Sequence, residues 1–271
     1  MVLTDKNNMN ISKEEYEARE PGHELIEGNQ YIGTLSDINN NRSNNGEQIF
    51  TYTKTSGGSD KVEPDAPLSE REKVEEITIF YRGSTNPVEV FSGKADEVKK
   101  DWVDNDGPMA KRILSEDKGV TGQLEASSDY LKEMMEKYPN AKINIYAHSL
   151  GSMDAQYAMA DLEAAQIERI QQAYIYNGPD VYRILSPEQR KIVDQIKGRI
   201  YNYADPKDKI SMVGRDPSKG SIGSVGMVYY VDSEQEDFVN QHMTYGYRLD
   251  KDGKIKILSN TSTVAYNNFL I

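Results

Sequence analysis

Ile143-Asn144-Ile145-Tyr146-Ala147-His148-Ser149-Leu150-Gly151 is the stretch on which the reading of this chain turns. Its first half is a short apolar strand, and the residues that follow, SMDAQYAMADLEAAQ, carry a helical pattern. A strand that enters a helix through so tight a turn strains the residue at the turn, so the positions two before and two after Ser149 have to be small to avoid colliding with each other. Ala147 and Gly151 meet that demand. Ser149 then sits at the positive end of the following helix, with the Leu150 N–H aimed where an oxyanion would form. The same turn is also found where a serine merely caps a helix, so Ser149 needs partners before it counts as a nucleophile.

Outward from this turn, strands and helices alternate. EITIFY (76–81) ends abruptly at Arg82-Gly83, and a helical pattern runs from about Lys94 to Leu114. An amphipathic helix, QLEASSDYLKEMMEKY, precedes Pro139-Asn140. After the turn come the strand AYIYN, the helix SPEQRKIVDQIKG, the strands RIYNYA and GMVYYV, a short helical stretch around His242, and a hairpin, LDKDGKIKIL, turning at Asp252-Gly253. Such alternation predicts parallel strands joined by crossover helices: an α/β fold in three layers around a mostly parallel central sheet. Residues 39–72 are rich in Asn, Ser, Gly and Pro and poor in apolar residues. They suggest an N-terminal extension with long loops (1–73), packed on a catalytic domain (74–271).

The bulk numbers exclude several classes. A net charge of −12, from 44 acidic against 32 basic residues, argues against electrostatic binding of nucleic acid or anionic membrane. Without cysteine there is no disulfide framework, thiolate metal site or cysteine nucleophile. The first twenty residues hold no apolar run of signal-peptide length, and no stretch approaches a membrane span. The eighteen tyrosines, against five phenylalanines, suit either an amphipathic interface or a packed sheet.

Of three histidines, His23 reads as a surface residue and His148 as a packing residue of the turn; only His242 lies downstream of Ser149. In α/β-hydrolases the order is serine, acid, histidine, which makes His242 the base. The acid falls on the loop after RIYNYA, where Asp205 and Asp208 compete. Asp205 precedes Pro206 at the strand end, where an Asx turn is the plain explanation, so Asp208 is preferred. A second oxyanion donor belongs on the loop after an early strand, and Ser84 stands there. Two acidic segments, WVDNDGPMAKRI and RLDKDGKIKILS, fail as calcium loops at their first and closing ligand positions, and no metal or other cofactor is expected.

Taken together these segments resemble the class 3 lipases, a family of α/β-hydrolases. The match rests on Arg82-Gly83-Ser84, Trp102 with Asp104 and Asp106, the Ser149 turn, Asn177-Gly178-Pro179, and Asp208-Lys209-Ile210-Ser211-Met212-Val213-Gly214, and spans about residues 74–258. Ala147 and Lys209-Ile210 depart from the family pattern. The resemblance implies a serine lipase or phospholipase with Ser149, His242 and Asp208 as triad and Ser84 and Leu150 as oxyanion hole. Apart from the resemblance, the apolar residues of the segment from Val98 to Leu114, Trp102 and Met109 among them, read either as a lid or rim for a lipid or phospholipid substrate or as ordinary core contacts of a crossover helix. Within the family, the polar N-terminus and the missing signal and cysteines look most like lipase toxins exported by type VII secretion from Gram-positive bacteria. That implies secretion without a cleaved Sec signal, a cytoplasmic stage before export, and secretion chaperones and a cognate immunity protein as partners. Left open are a non-enzymatic scaffold of the same fold and a thioesterase or peptidase using the same triad.

Overall fold

The computed structural model describes residues 3–41, 47–58, 61–83 and 121–258. The helical pattern expected from Lys94 to Leu114 lies outside them, as do Ser84, Trp102 and Met109.

Among the described residues eight strands form one sheet, and their order across it is their order along the chain: β1 (Glu24–Glu27), β2 (Gln30–Asn40), β3 (Gln48–Thr55), β4 (Val74–Tyr81), β5 (Lys142–His148), β6 (Ile170–Tyr176), β7 (Ile200–Ala204) and β8 (Met227–Tyr230). β1 to β4 pair antiparallel. From β4 to β8 every pairing is parallel. The result is a mixed α/β fold around a mostly parallel sheet. Three of its strands lie within residues 1–73, expected to be an extension. The expectation of long loops over 39–72 missed β3, because the polar stretches on either side outweighed one short strand, QIFTYTKT, whose alternation of apolar residues and threonines is itself a strand period. Thr51 and Thr53 are nevertheless fully buried, one hydrogen-bonded to Tyr130 and the other to Ser36.

The parallel strands are buried on both faces, and their sequences sort those faces. Ile77, Ile79, Ile143, Ile145, Ala173 and Ile175 face one side. There they meet helices α3 (Gly122–Lys137), α4 (Gly151–Ala160) and α5 (Pro187–Gln195), which follow the short helix α2 (Leu68–Arg71) along the chain. Each crossover steps the same way across the sheet, so right-handed connections bring all three helices to this one face. The intervening residues, Phe80, Tyr146, Tyr174, Tyr176 and Tyr203, point to the other side. Their rings stack from strand to strand: Phe80 on Tyr146 at 5.4 Å, Tyr146 on Tyr174 at 5.3 Å, Tyr174 on Tyr201 at 5.0 Å and Tyr176 on Tyr203 at 5.4 Å. These tyrosines thus serve sheet packing, and the hydroxyls of Tyr146 and Tyr174 reach Asn8 and Gln172. Helix α1 (Asp5–Ser12) covers this face with Met9 and Ile11, joined by Tyr247 and Ile255 from the C-terminal hairpin, whose turn is closed by Asp250 and Lys254. Among the described residues no helix is long and apolar enough to cross a membrane.

Candidate active site

The C-terminal ends of the parallel strands carry the polar groups, as expected where strands feed into loops over an open α/β sheet. At the end of β5 the chain turns through Ser149, whose φ of 55° lies in the left-handed region that a non-glycine residue avoids. The turn is held by the Ser149 N–H, which donates to the Tyr176 carbonyl at 3.0 Å. Gly151 is required here, though not because of Ala147: a Cβ on it would lie 2.1 Å from the Tyr81 carbonyl oxygen. The end of β4 supplies the crowding. Gly83 is also close-packed, though less tightly, since a Cβ there would stand 3.0 Å from the Ser149 Cβ and 2.8 Å from the Tyr16 hydroxyl. The Arg82-Gly83 main chain therefore runs directly against the serine turn.

His242 closes the short helix α6 (Phe238–His242). The Ser149 hydroxyl donates to its Nε2 at 2.7 Å, and its Nδ1–H donates to Asp208 Oδ2 at 2.7 Å. All three side chains are buried. Asp208 takes up its second oxygen with the Ile210 N–H. Asp205 faces elsewhere: it accepts from the Lys207 N–H, as an Asx turn does, and from the Ser233 N–H and hydroxyl. Of the two competing carboxylates, the geometry brings Asp208 to the imidazole. Leu150, at the N-cap of α4, is buried next to Ser149.

Two further donors converge on the main-chain carbonyl of His242: Asn177 Nδ2 at 2.9 Å and His148 Nε2 at 2.8 Å. His148 is thus more than the packing residue its place in the turn suggested. Its other nitrogen accepts from the Tyr16 hydroxyl at 2.6 Å. Burial, and then the neighbouring His242, push its pKa down to about 3, so the ring is neutral. Asn177, in a left-handed conformation at φ 46°, has its amide oriented by the Asp205 N–H and the Tyr247 hydroxyl, both donating to Oδ1. The acid loop is pinned by Arg215, which pairs with Asp180 at 3.2 Å and donates to Ser211, Gly178 and Asn202. Tyr16 and Arg215 do not stand out in the sequence, because Tyr16 acts on His148 and Arg215 pairs with Asp180, both far away in the chain; Asn177 stands out only as part of the Asn177-Gly178-Pro179 motif.

Residues 113–267 match the model of the Mbeg1-like family, a lipase-like family. The chain belongs to the Mbeg1-like family. In this Mbeg1-like chain the matched region spans Ser149, Asp208 and His242 together with Asn177, while α1, Tyr16 and strands β1 to β4 precede it. No curated protein matches the chain. Among solved structures, the crystal structure of a mutant form of MDLA from Penicillium cyclopium is similar with a TM-score of 0.41 and 15% identity, over 94% of this chain and 82% of that one.

Proposed function

We propose that this chain is a serine-dependent hydrolase of lipid esters, of the lipase or phospholipase A type, on an α/β-hydrolase scaffold. One observation carries the reading: a serine in a left-handed turn at a helix N-terminus donates to a buried imidazole whose other nitrogen meets a buried carboxylate. In such an arrangement Ser149 attacks the ester carbonyl as His242 Nε2 takes its proton. Asp208 keeps Nδ1 protonated, which leaves Nε2 free to accept, and stabilises the imidazolium that forms. His242 then returns the proton to the leaving alcohol, and water repeats the cycle on the acyl-enzyme. The Leu150 N–H at the start of α4 is assigned to the developing oxyanion, with Ser84 as second donor by resemblance. Trp102 and Met109 are assigned to the acyl-chain rim as apolar residues of the segment from Val98 to Leu114.

The finer reading is a lipase toxin exported by a Gram-positive cell, accompanied by chaperones and an immunity protein. It rests on the resemblance of the sequence to type VII lipase toxins. Expression in a bacterial periplasm tests it: toxicity that Ser149→Ala abolishes is the expected result, and harmless wild type would count against it. The hydrolase itself is tested by fatty-acid release from mixed phospholipid and triglyceride vesicles. Wild type should release acid and Ser149→Ala should not; equal release from both, or none from either, removes the assignment.

A further inference from the structure

We propose that His148 is a positioning residue for the hydrolysis, which fixes the place of His242 by holding its main-chain carbonyl and is itself oriented by the Tyr16 hydroxyl. The inference rests on the triad reading above. A general base must keep its ring to within a fraction of an ångström of its place beside the nucleophile, and α6 is only five residues long. Its last carbonyl, that of His242, gains no further helical turn. Both its lone pairs are filled instead by Asn177, just beyond β6, and His148, the last residue of β5. β5 is also the strand that delivers Ser149. The base is thereby referenced to the same piece of backbone as the nucleophile.

The chemistry fixes the tautomer. A carbonyl only accepts, so His148 Nε2 must carry the hydrogen, and in the neutral ring Nδ1 is then bare. The Tyr16 O–H satisfies that bare nitrogen, and the other neutral tautomer would lose the carbonyl contact. A neutral ring also suits the reaction. The His148 and His242 ring centres lie 4.9 Å apart, and a second cation there would oppose the imidazolium that forms on His242. Tyr16 is held in turn. Its ring meets His148 edge-on at 5.6 Å, and the Arg82 guanidinium lies over it at 5.6 Å. Its neighbour Glu15 is buried beneath the turn. α1 is tied to the sheet by the Tyr146 hydroxyl, which donates to Asn8 at 2.8 Å. In this way the N-terminal segment, far from the triad in sequence, takes part in aligning it.

The test compares Tyr16→Phe, His148→Leu and His148→Gln with wild type and Ser149→Ala, using an activated short-chain ester and circular dichroism to establish folding. His148→Leu should lower kcat by about ten- to a hundredfold with KM within about twofold. His148→Gln keeps an N–H where Nε2 stood and should recover most of the loss; Tyr16→Phe should fall between. A readout independent of turnover is the downfield NMR signal of the His242 Nδ1 proton shared with Asp208, which should shift or broaden in His148→Leu. A folded His148→Leu with wild-type kcat and an unmoved signal overturns the proposal, as does a loss confined to KM or a Gln variant no better than Leu. Should Ser149→Ala turn over the ester as wild type does, the hydrolase reading fails, and the NMR signal alone still decides the positioning role.

Discussion

Asp208 Oδ2 accepts from His242 Nδ1 at 2.7 Å, with both side chains shut off from solvent. The two residues are 34 positions apart, and the carboxylate arrives from the loop beyond β7 while the imidazole arrives from α6.

Replacing the acid should therefore separate Asp208 from Asp205. We expect Asp208→Asn to cut kcat by about 10³- to 10⁴-fold, because an amide in that place favours the wrong imidazole tautomer. Asp205→Asn should keep kcat within about threefold and lower the melting temperature by a few degrees, since it weakens only the contacts to Ser233 and Lys207. Steady-state kinetics and thermal unfolding on both variants check this. The opposite ranking of kcat would exchange the two roles.

Arg215 and Asp180 form an ion pair with no solvent access to either side chain. Arg215→Met leaves a buried carboxylate without its cation and should cost about 3–5 kcal/mol in urea unfolding at neutral pH. Adding Asp180→Asn should restore part of it. A loss below about 1 kcal/mol for the single change would mean that the pair does not hold the acid loop.

Gly151 has no room for a methyl group, given the Tyr81 carbonyl 2.1 Å from its would-be Cβ and the Arg82 carbonyl carbon at 2.7 Å. Both obstacles are main chain and cannot rotate away. Gly151→Ala should cost at least about 1–3 kcal/mol and displace Ser149. Labelling by a fluorophosphonate should then slow sharply in whatever fraction folds. Wild-type labelling and melting would show that the turn is looser than its packing implies.

Asp154, buried in the first turn of α4, has its pKa raised from an ordinary 3.8 to about 8, by burial first and then by Glu47, against hydrogen bonds from Gln123 and Ser127. Between those two values the folded chain holds one proton more than the unfolded chain. Stability contributed by this group therefore falls as pH rises from about 4 and levels off above about 8. Asp154→Asn should gain on wild type steadily as pH is raised from about 5 to about 8. Unfolding curves that stay parallel across that range would refute it.

How much of this was legible beforehand depends on how local each cause is. β4 to β8 and the helices between them follow from short apolar runs, caps and breaks, and Ser186 with Gln189 at α5 forms the capping box that its sequence spells out. β3 is hidden between two polar stretches although its alternation has a strand period, and the buried partners of its threonines on α3 and β2 could not be read from local pattern. The Asp205 and Asp208 choice could be weighed from Pro206 and the Asx-turn habit, yet only the folded loop brought one carboxylate to His242.

By itself, then, the sequence determined the α/β alternation, the strained turn at Ser149 and the candidacy of His242, since these depend on residue size, period and chain order. The tertiary structure alone decided that His148, held by Tyr16, and Asn177 converge on one carbonyl, that Arg215 pins the acid loop, and that the tyrosines stack across the sheet. The physical reason is range. Backbone preferences act over a few residues, whereas hydrogen bonds and ring contacts act over a few ångströms between segments that the sheet has first to bring together.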